Sequence, residues 1–241
     1  MPMKKTDIGF LVNTLELGKF DCKQIVEQQD KIANAIGDSN NVRLTPKIYK
    51  QAIACANRHK WLKAIDNELC NMRRHNVFDI LPLPQNTKPI GGRWVFALKP
   101  AHFKARYVAR GNSQLSGFDF HNTFAPTATF PFLLILLTLA AQLGLHISTF
   151  DFVAAYLNAS IDEEIWIRPP EGLMVPTGSG CRLCKALYGT KQAGRCWWSH
   201  LSIYLKKGGF HVSNYDPSVY LNNDCGMIIW LHVDDSVVFA K

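Results

Sequence analysis

Hydrophobic and polar positions along this chain alternate between a helical period and short apolar runs. Trp61, Ile65, Leu69 and Met72 recur at helical spacing, with Lys60, Lys63, Asp66 and Asn67 on the other faces, which predicts an amphipathic helix that packs through one stripe. Pro82, Pro84 and Pro89 break that helix and lead into strands around Trp94 and Tyr107. The most apolar stretch, Phe132 to Ala141 and on to Leu145, follows Pro131 and predicts a buried helix with proline near its start. It is shorter than the roughly 20 residues a membrane-spanning helix needs. A short apolar strand ending at Asp151 comes next, then a helix start over 154–160 and a short strand over 165–167 stopped by Pro169-Pro170. A further helix over 192–206 places Trp197, Leu201, Tyr204 and Leu205 on one side and stops at Gly208-Gly209. The mixed order of elements is that of an α+β fold. Residues 1–44 carry scattered charges and no motif, and read as a leader ahead of a domain over 45–241.

The run Ile228 to Phe239 sets two adjacent carboxylates, Asp234 and Asp235, between two apolar, β-branched segments. Neighbouring carboxylates flanked by buried strands repel each other and lose hydration, so a proton or a cation must neutralise them. The other reading of the same residues is a tight hairpin with Asp234 and Asp235 as turn residues facing water. Asp151, a third acid at the end of an apolar strand, shifts the balance towards metal binding, because three such acids can hold two ions.

Of the 241 residues 47% are hydrophobic and 19% charged, ordinary globular composition that excludes disorder as the default. The net charge of +8 favours a polyanionic partner such as nucleic acid. That charge is concentrated: no acidic residue lies between Asp79 and Asp119, an interval holding Lys88, Arg93, Lys99, Lys104, Arg106 and Arg110 among several aromatic rings. At even spacing on a strand, Lys104, Arg106 and Arg110 project from one face and can grip phosphates. The seven cysteines are an odd number with no secretory signal before them, which indicates a reducing, intracellular compartment, cytoplasmic or nuclear. Cys181 and Cys184 have zinc-ligand spacing but lack a second pair, so a structural role is favoured.

Seven blocks, taken in order, resemble the reverse transcriptase region of Ty1/copia-type long-terminal-repeat retrotransposons. They are Trp61 to Glu68, Gly91 to Phe96, Phe103 to Gly111, Thr123 to Pro126, Asp151 to Leu157, Leu187 to Gln192, and His232 to Asp235. The resemblance implies a right-hand polymerase with interleaved fingers and palm, the palm over about 126–159 and 193–241. It implies RNA-directed DNA synthesis by a two-metal mechanism, with Asp151, Asp234 and Asp235 as catalytic metal ligands for two Mg²⁺ ions, Mn²⁺ being the alternative. The incoming deoxynucleoside triphosphate would be met by Lys104 and Arg106, by Tyr156 as the ring that excludes a 2′-hydroxyl, and by Gln192 at the sugar. The implied partners are an RNA or DNA template-primer, deoxynucleoside triphosphates and other segments of the pol polyprotein, with no membrane.

The departures from the family pattern are His232 in place of tyrosine, Thr190 in place of leucine, no arginine near Leu134, and a short basic hairpin between Lys99 and Lys104. The sequence stops at Lys241, shortly after Asp235, so the expectation is a form truncated before the thumb and RNase H regions, with little or no activity alone. The rival reading is a degenerate transposon-derived remnant that at most binds nucleic acid nonspecifically. An unrelated metal-dependent hydrolase would share the acids but not the other six blocks.

Overall fold

The structure is a computed structural model and describes residues 45–100 and 102–241; the leader expected over 1–44 lies outside the described residues. The chain divides into two compact units, each assembled from separate stretches. The described part of one comprises residues 45–123 and 156–196, and that of the other Phe124–Ala155 and Trp197–Lys241.

The first unit opens with α1 (Tyr49–Ala54) and α2 (Arg58–Arg74). Trp61, Ile65, Leu69 and Met72 of α2 are buried, as the helical period predicts, together with Ala64. The helix ends well before the prolines, because Asn76 turns the chain at φ 50° into a strand the sequence reading does not contain, β1 (Phe78–Pro82). The prolines therefore shape strand ends and do not stop the helix. β1 pairs antiparallel with β6 (Ser179–Leu183), which also pairs with the two-residue β5 (Trp166–Ile167), giving the order β1-β6-β5.

A two-stranded ribbon, β2 (Gly92–Lys99) with β3 (His102–Ala109), runs in register from Gly92↔Ala109 to Lys99↔His102. Trp94, Phe96, Ala105 and Tyr107 form its buried face. Trp61 of α2 meets Phe96 and Phe103 edge-on at 5.3 and 4.6 Å, so the amphipathic stripe of α2 covers this face. The ribbon's root is fixed by main chain: Ala109 N–H donates to Tyr188 O at 2.8 Å, and Gly189 packs so closely that a Cβ on it would lie 2.2 Å from Ala109 O. Gly189 also has φ +88°, so glycine is required there by both contact and conformation.

The second unit is a five-stranded antiparallel sheet ordered β4-β10-β9-β8-β7. Its strands are β4 (His146–Asp151), β7 (His211–Val212), β8 (Val219–Asn222), β9 (Met227–His232) and β10 (Asp235–Ala240). α3 (Phe130–Leu143), with proline in its first turn and Gly144 at φ 63° after its last, packs on the sheet through Leu136 and Ala140. These side chains meet Val219, Trp230 and Phe239, with Ile147 and Val237 at the margin. The sequence reading of a buried helix is corrected here: Leu134, Ile135 and Leu143 are 45%, 60% and 60% exposed. A helix laid on a sheet offers it one stripe, whatever the composition of its other faces. β4 is an exposed edge strand. The remaining helices are the short α4 (Ala155–Asn158) and α5 (Ala193–Lys207), which ends at Gly208-Gly209 as read from the sequence. Tyr204 on α5 is 60% exposed, whereas Trp197 and Leu201 are buried as expected. Among the described residues no helix is long and apolar enough to cross a membrane.

Candidate functional site

In the sheet unit the strand register gathers the three acids. β9 ends at His232 and β10 begins at Asp235, and these two residues are paired, which leaves Val233 and Asp234 as a two-residue turn. The hairpin reading is thus correct in kind but displaced by one residue: Asp235 belongs to the strand and not to the turn. Across the sheet Asp235 is the direct antiparallel partner of Asp151. Such partners have Cβ atoms roughly 5 Å apart on one face, and like charges in that position repel. Strand alternation puts both carboxylates on the face that carries Val237 and Phe239, at its exposed end. His232 shares that face and stacks on Trp230, with ring centroids 5.8 Å apart and planes at 11°.

The turn is held from behind. Val233 has φ 59°, a conformation that costs a β-branched residue of order 1–3 kcal/mol. Trp197 Nε1 donates to Val233 O at 2.7 Å, and Phe152 N–H donates to Asp234 O at 2.9 Å. The rings of Phe152 and Trp197 meet edge-on at 5.1 Å, so one aromatic pair fixes both carbonyls of the turn. Buried Ser236 donates its hydroxyl to Phe150 O at 2.7 Å, pinning β10 to β4 beside the acidic pair. None of these supports is visible as a motif in the sequence. The donor set is all oxygen and partly solvent-facing, which suits a hard divalent cation. Among the described residues, however, no three His, Cys, Asp or Glu side chains close into a ready-made cage; the register aligns the acids without converging their carboxylates.

The other unit carries the residues read as nucleotide-binding. Lys104 and Arg106 lie on the face of β3 opposite Ala105 and Tyr107. The Arg106 guanidinium sits 4.9 Å over the Tyr188 ring, and Tyr188 in turn meets the ring of Tyr156 at 5.3 Å. Tyr188, which the sequence reading places only inside a motif, is therefore the link that joins two of the expected residues. Glu68 of α2 also faces this strand: burial pushes its carboxyl up, while the Tyr107 backbone N–H and the charges of Arg106 and Lys104 pull it down.

Gln192, the residue expected at the sugar, lies in the interior of this unit. It is 0% exposed. Its amide donates to Asp119 O at 2.9 Å and Glu163 Oε2 at 3.1 Å, and accepts from Gln114 Nε2 at 3.1 Å. Beside it Arg195 binds both oxygens of Asp162 at 2.7 and 2.8 Å and reaches Glu163 at 3.4 Å. The guanidinium holds the Asp162 carboxyl well below the usual range, whereas burial and the neighbouring Asp162 charge push Glu163 up. Cys181 is buried, which pushes its thiol up to about 12, and Cys184 lies 3.4 Å from Asp79 Oδ2.

The family described as reverse transcriptase (RNA-dependent DNA polymerase) matches residues 75–241. The retrovirus-related Pol polyprotein from transposon TNT 1-94 of Nicotiana tabacum is 30% identical over 207 residues, 81% of this chain and 16% of the relative. The corresponding polyprotein from transposon RE2 of Arabidopsis thaliana is 30% identical over 200 residues, 78% of this chain and 14% of that protein. The transposon Ty1-BL Gag-Pol polyprotein of Saccharomyces cerevisiae is 37% identical over 139 residues, 57% of this chain and 8% of the polyprotein. The chain thus spans less than a fifth of the length of these relatives.

Proposed function

This chain belongs to the reverse transcriptase (RNA-dependent DNA polymerase) family, in its Ty1/copia-type retrotransposon branch, and from that premise we propose that it carries the nucleotidyl-transfer centre of an RNA-directed DNA polymerase. The observation that carries the reading is the register Asp235↔Asp151 with Asp234 in the adjoining turn. Two carboxylates facing each other across strands are destabilising unless a cation lies between them, so the sheet gives up stability at this one position. Asp151, Asp234 and Asp235 would hold Mg²⁺, or Mn²⁺, through oxygen ligands. A pair of such ions, when bound, supplies activation of the primer 3′-hydroxyl and neutralisation of charge on the triphosphate.

The sheet unit, which overlaps the palm expected over about 126–159 and 193–241, is assigned as palm, and the unit with the β2–β3 ribbon as fingers. Lys104 and Arg106 supply positive charge to the triphosphate of a deoxynucleotide, and stacking on Tyr188 limits the rotamers Arg106 can adopt. Tyr156, packed against the same ring, acts as the steric filter against a 2′-hydroxyl. Gln192 serves the site by bracing the wall formed with Gln114 and Asp119; direct contact with a sugar would require its bonds to Asp119 and Glu163 to open.

Primer extension on an RNA template with magnesium and deoxynucleotides tests the reading. Any extension by the chain, however weak, should disappear in the Asp234→Asn, Asp235→Asn double variant. Equal extension by both proteins would remove the acids from the mechanism, and extension by neither would withdraw the activity from this chain.

A further inference from the structure

At the root of the β2–β3 ribbon, within a single unit, lies an open cavity of about 440 Å³ whose charge the nucleotidyl-transfer centre does not use. Lys47, Lys50, Arg93, Arg110 and Arg168 line it, against a single carboxylate, Glu171. Among the described residues none of these five cations forms an ion pair; the ion pairs there involve only Arg182 and Arg195. Main-chain bonds bring the arginines together. Arg110 N–H donates to Gly91 O at 2.8 Å and Arg168 N–H donates to Ile90 O at 2.9 Å, so the short segment that leads to Arg93 anchors both of the others. The Trp94 indole N–H donates to Glu171 O and the Tyr107 hydroxyl to Arg168 O, each at 3.0 Å, which fixes the wall that presents Arg168.

Five cations facing one carboxylate leave an excess of four positive charges around a single cavity, and such charges repel each other until an anion joins them. The arginines converge from separate stretches of chain, and their forked donors match the oxygens of phosphate. The size falls within the roughly 300–1,000 Å³ of small-molecule clefts. At about 30 Å³ for each water-sized group, it admits on the order of fifteen non-hydrogen atoms. The lining rings are not open to a base. Trp94 and Tyr107 are 2% and 3% exposed, and Tyr49 lies against Gly172, where an added Cβ would come within 2.8 Å of its hydroxyl. The cavity thus offers concentrated charge without the stacking platform that a nucleotide base uses. We propose that it binds a compact oligophosphate without a base, several phosphates carried on one small molecule, as inorganic polyphosphate or as the phosphate esters of a small sugar. The inference draws nothing from the nucleotidyl-transfer reading, because the ligand is a free small anion and not a polymerase substrate.

Titration calorimetry of tripolyphosphate, and separately of fructose 1,6-bisphosphate, into the full chain without divalent metal, deoxynucleotides or nucleic acid tests the proposal independently of catalysis. Saturable binding of at least one of the two is expected, and the tighter of them identifies the source of the phosphates. The Lys47→Ala, Lys50→Ala variant removes two exposed side chains and leaves the walls intact. It should weaken binding about tenfold, as should Arg168→Gln, which keeps the main-chain bonds of that residue. A control of equal charge, Lys63→Ala with Arg74→Ala on exposed positions of α2, should stay within about twofold of the parent. Lys104→Ala with Arg106→Ala should retain the site, and 12-nucleotide oligo(dT) at equal phosphate concentration should not displace the small anion. Absence of saturable binding by the parent, an equal fall in the α2 control, loss of the site with Lys104 and Arg106, or displacement by the strand would each overturn the proposal. Primer extension can fail without affecting any of these readouts.

Discussion

Replacing Trp197 by phenylalanine isolates the support behind the acidic turn. The substitution keeps a ring against Phe152 but removes the N–H that donates to Val233 O at 2.7 Å. A hydrogen bond of this kind contributes about 1 kcal/mol net, and the smaller ring leaves a space in a buried position worth roughly another 1 kcal/mol. Val233 has φ 59°, so losing the bond also lets the turn relax towards a less strained backbone. The sum, roughly 2 kcal/mol, acts where Phe152 N–H is bonded to Asp234 O. Native-state hydrogen exchange reads this site directly: at about 1.4 kcal/mol per tenfold, the Phe152 amide should exchange roughly thirtyfold faster in the variant. Amides at the far end of the same sheet, such as Leu221, should change much less. If Phe152 exchange rises less than about threefold, the indole does not hold the turn and Asp234 owes its position to other contacts.

Two further outcomes follow from close packing and from burial. Gly189→Ala should destabilise the chain by roughly 3 kcal/mol or more in urea titration, because its Cβ would strike the Ala109 carbonyl at a positive φ. Gly178→Ala, also at positive φ but with nothing within 4 Å, should cost only about 1 kcal/mol, and equal losses at the two sites would refute the close-contact argument. Alkylation at pH 8 should modify the exposed Cys70 and Cys225 first, leaving Cys181 and Cys196, whose thiols burial pushes up to about 12 and about 11, until the protein is denatured. Peptide mass spectrometry showing Cys181 labelled as fast as Cys225 in the folded protein would contradict its placement.

What is legible in the sequence is whatever depends on near neighbours. The 3.6-residue period of Trp61, Ile65, Leu69 and Met72 needs only one helix to be true, and the apolar runs on either side of Asp234 and Asp235 need only one hairpin. The turn itself is displaced by one residue from its expected place, because aspartate favours turns and valine does not, while the pairing of His232 with Asp235 overrides both preferences. β1 escapes the sequence reading because Pro82 argues against a strand, yet it closes an outer position of its sheet, where a missing N–H is tolerated. Burial of α3 is overestimated for a similar reason: apolar composition does not say how many neighbours the topology will supply. The network of Gln192 with Gln114, Asp119 and Glu163, and the stacking of Arg106 on Tyr188, join residues far apart in the chain and leave no local signature.

The division of the chain also sets an order of assembly during synthesis. Each unit draws on two stretches that interrupt one another, residues 45–123 then 156–196 for one, and Phe124–Ala155 then Trp197–Lys241 for the other. On a ribosome the unit with the β2–β3 ribbon has all its described residues once Cys196 emerges. β4 must wait, its outer edge and inner edge both unpaired, until β10 has been made. The β9–β10 hairpin closes over a two-residue turn and costs little loop entropy, whereas docking β4 closes a loop that contains a whole section of the other unit. The pairing that aligns Asp151 with Asp235 is thus among the last long-range contacts that residues 45–241 can make as they emerge, and until it forms the two acids are strangers in solution, with no mutual repulsion to overcome.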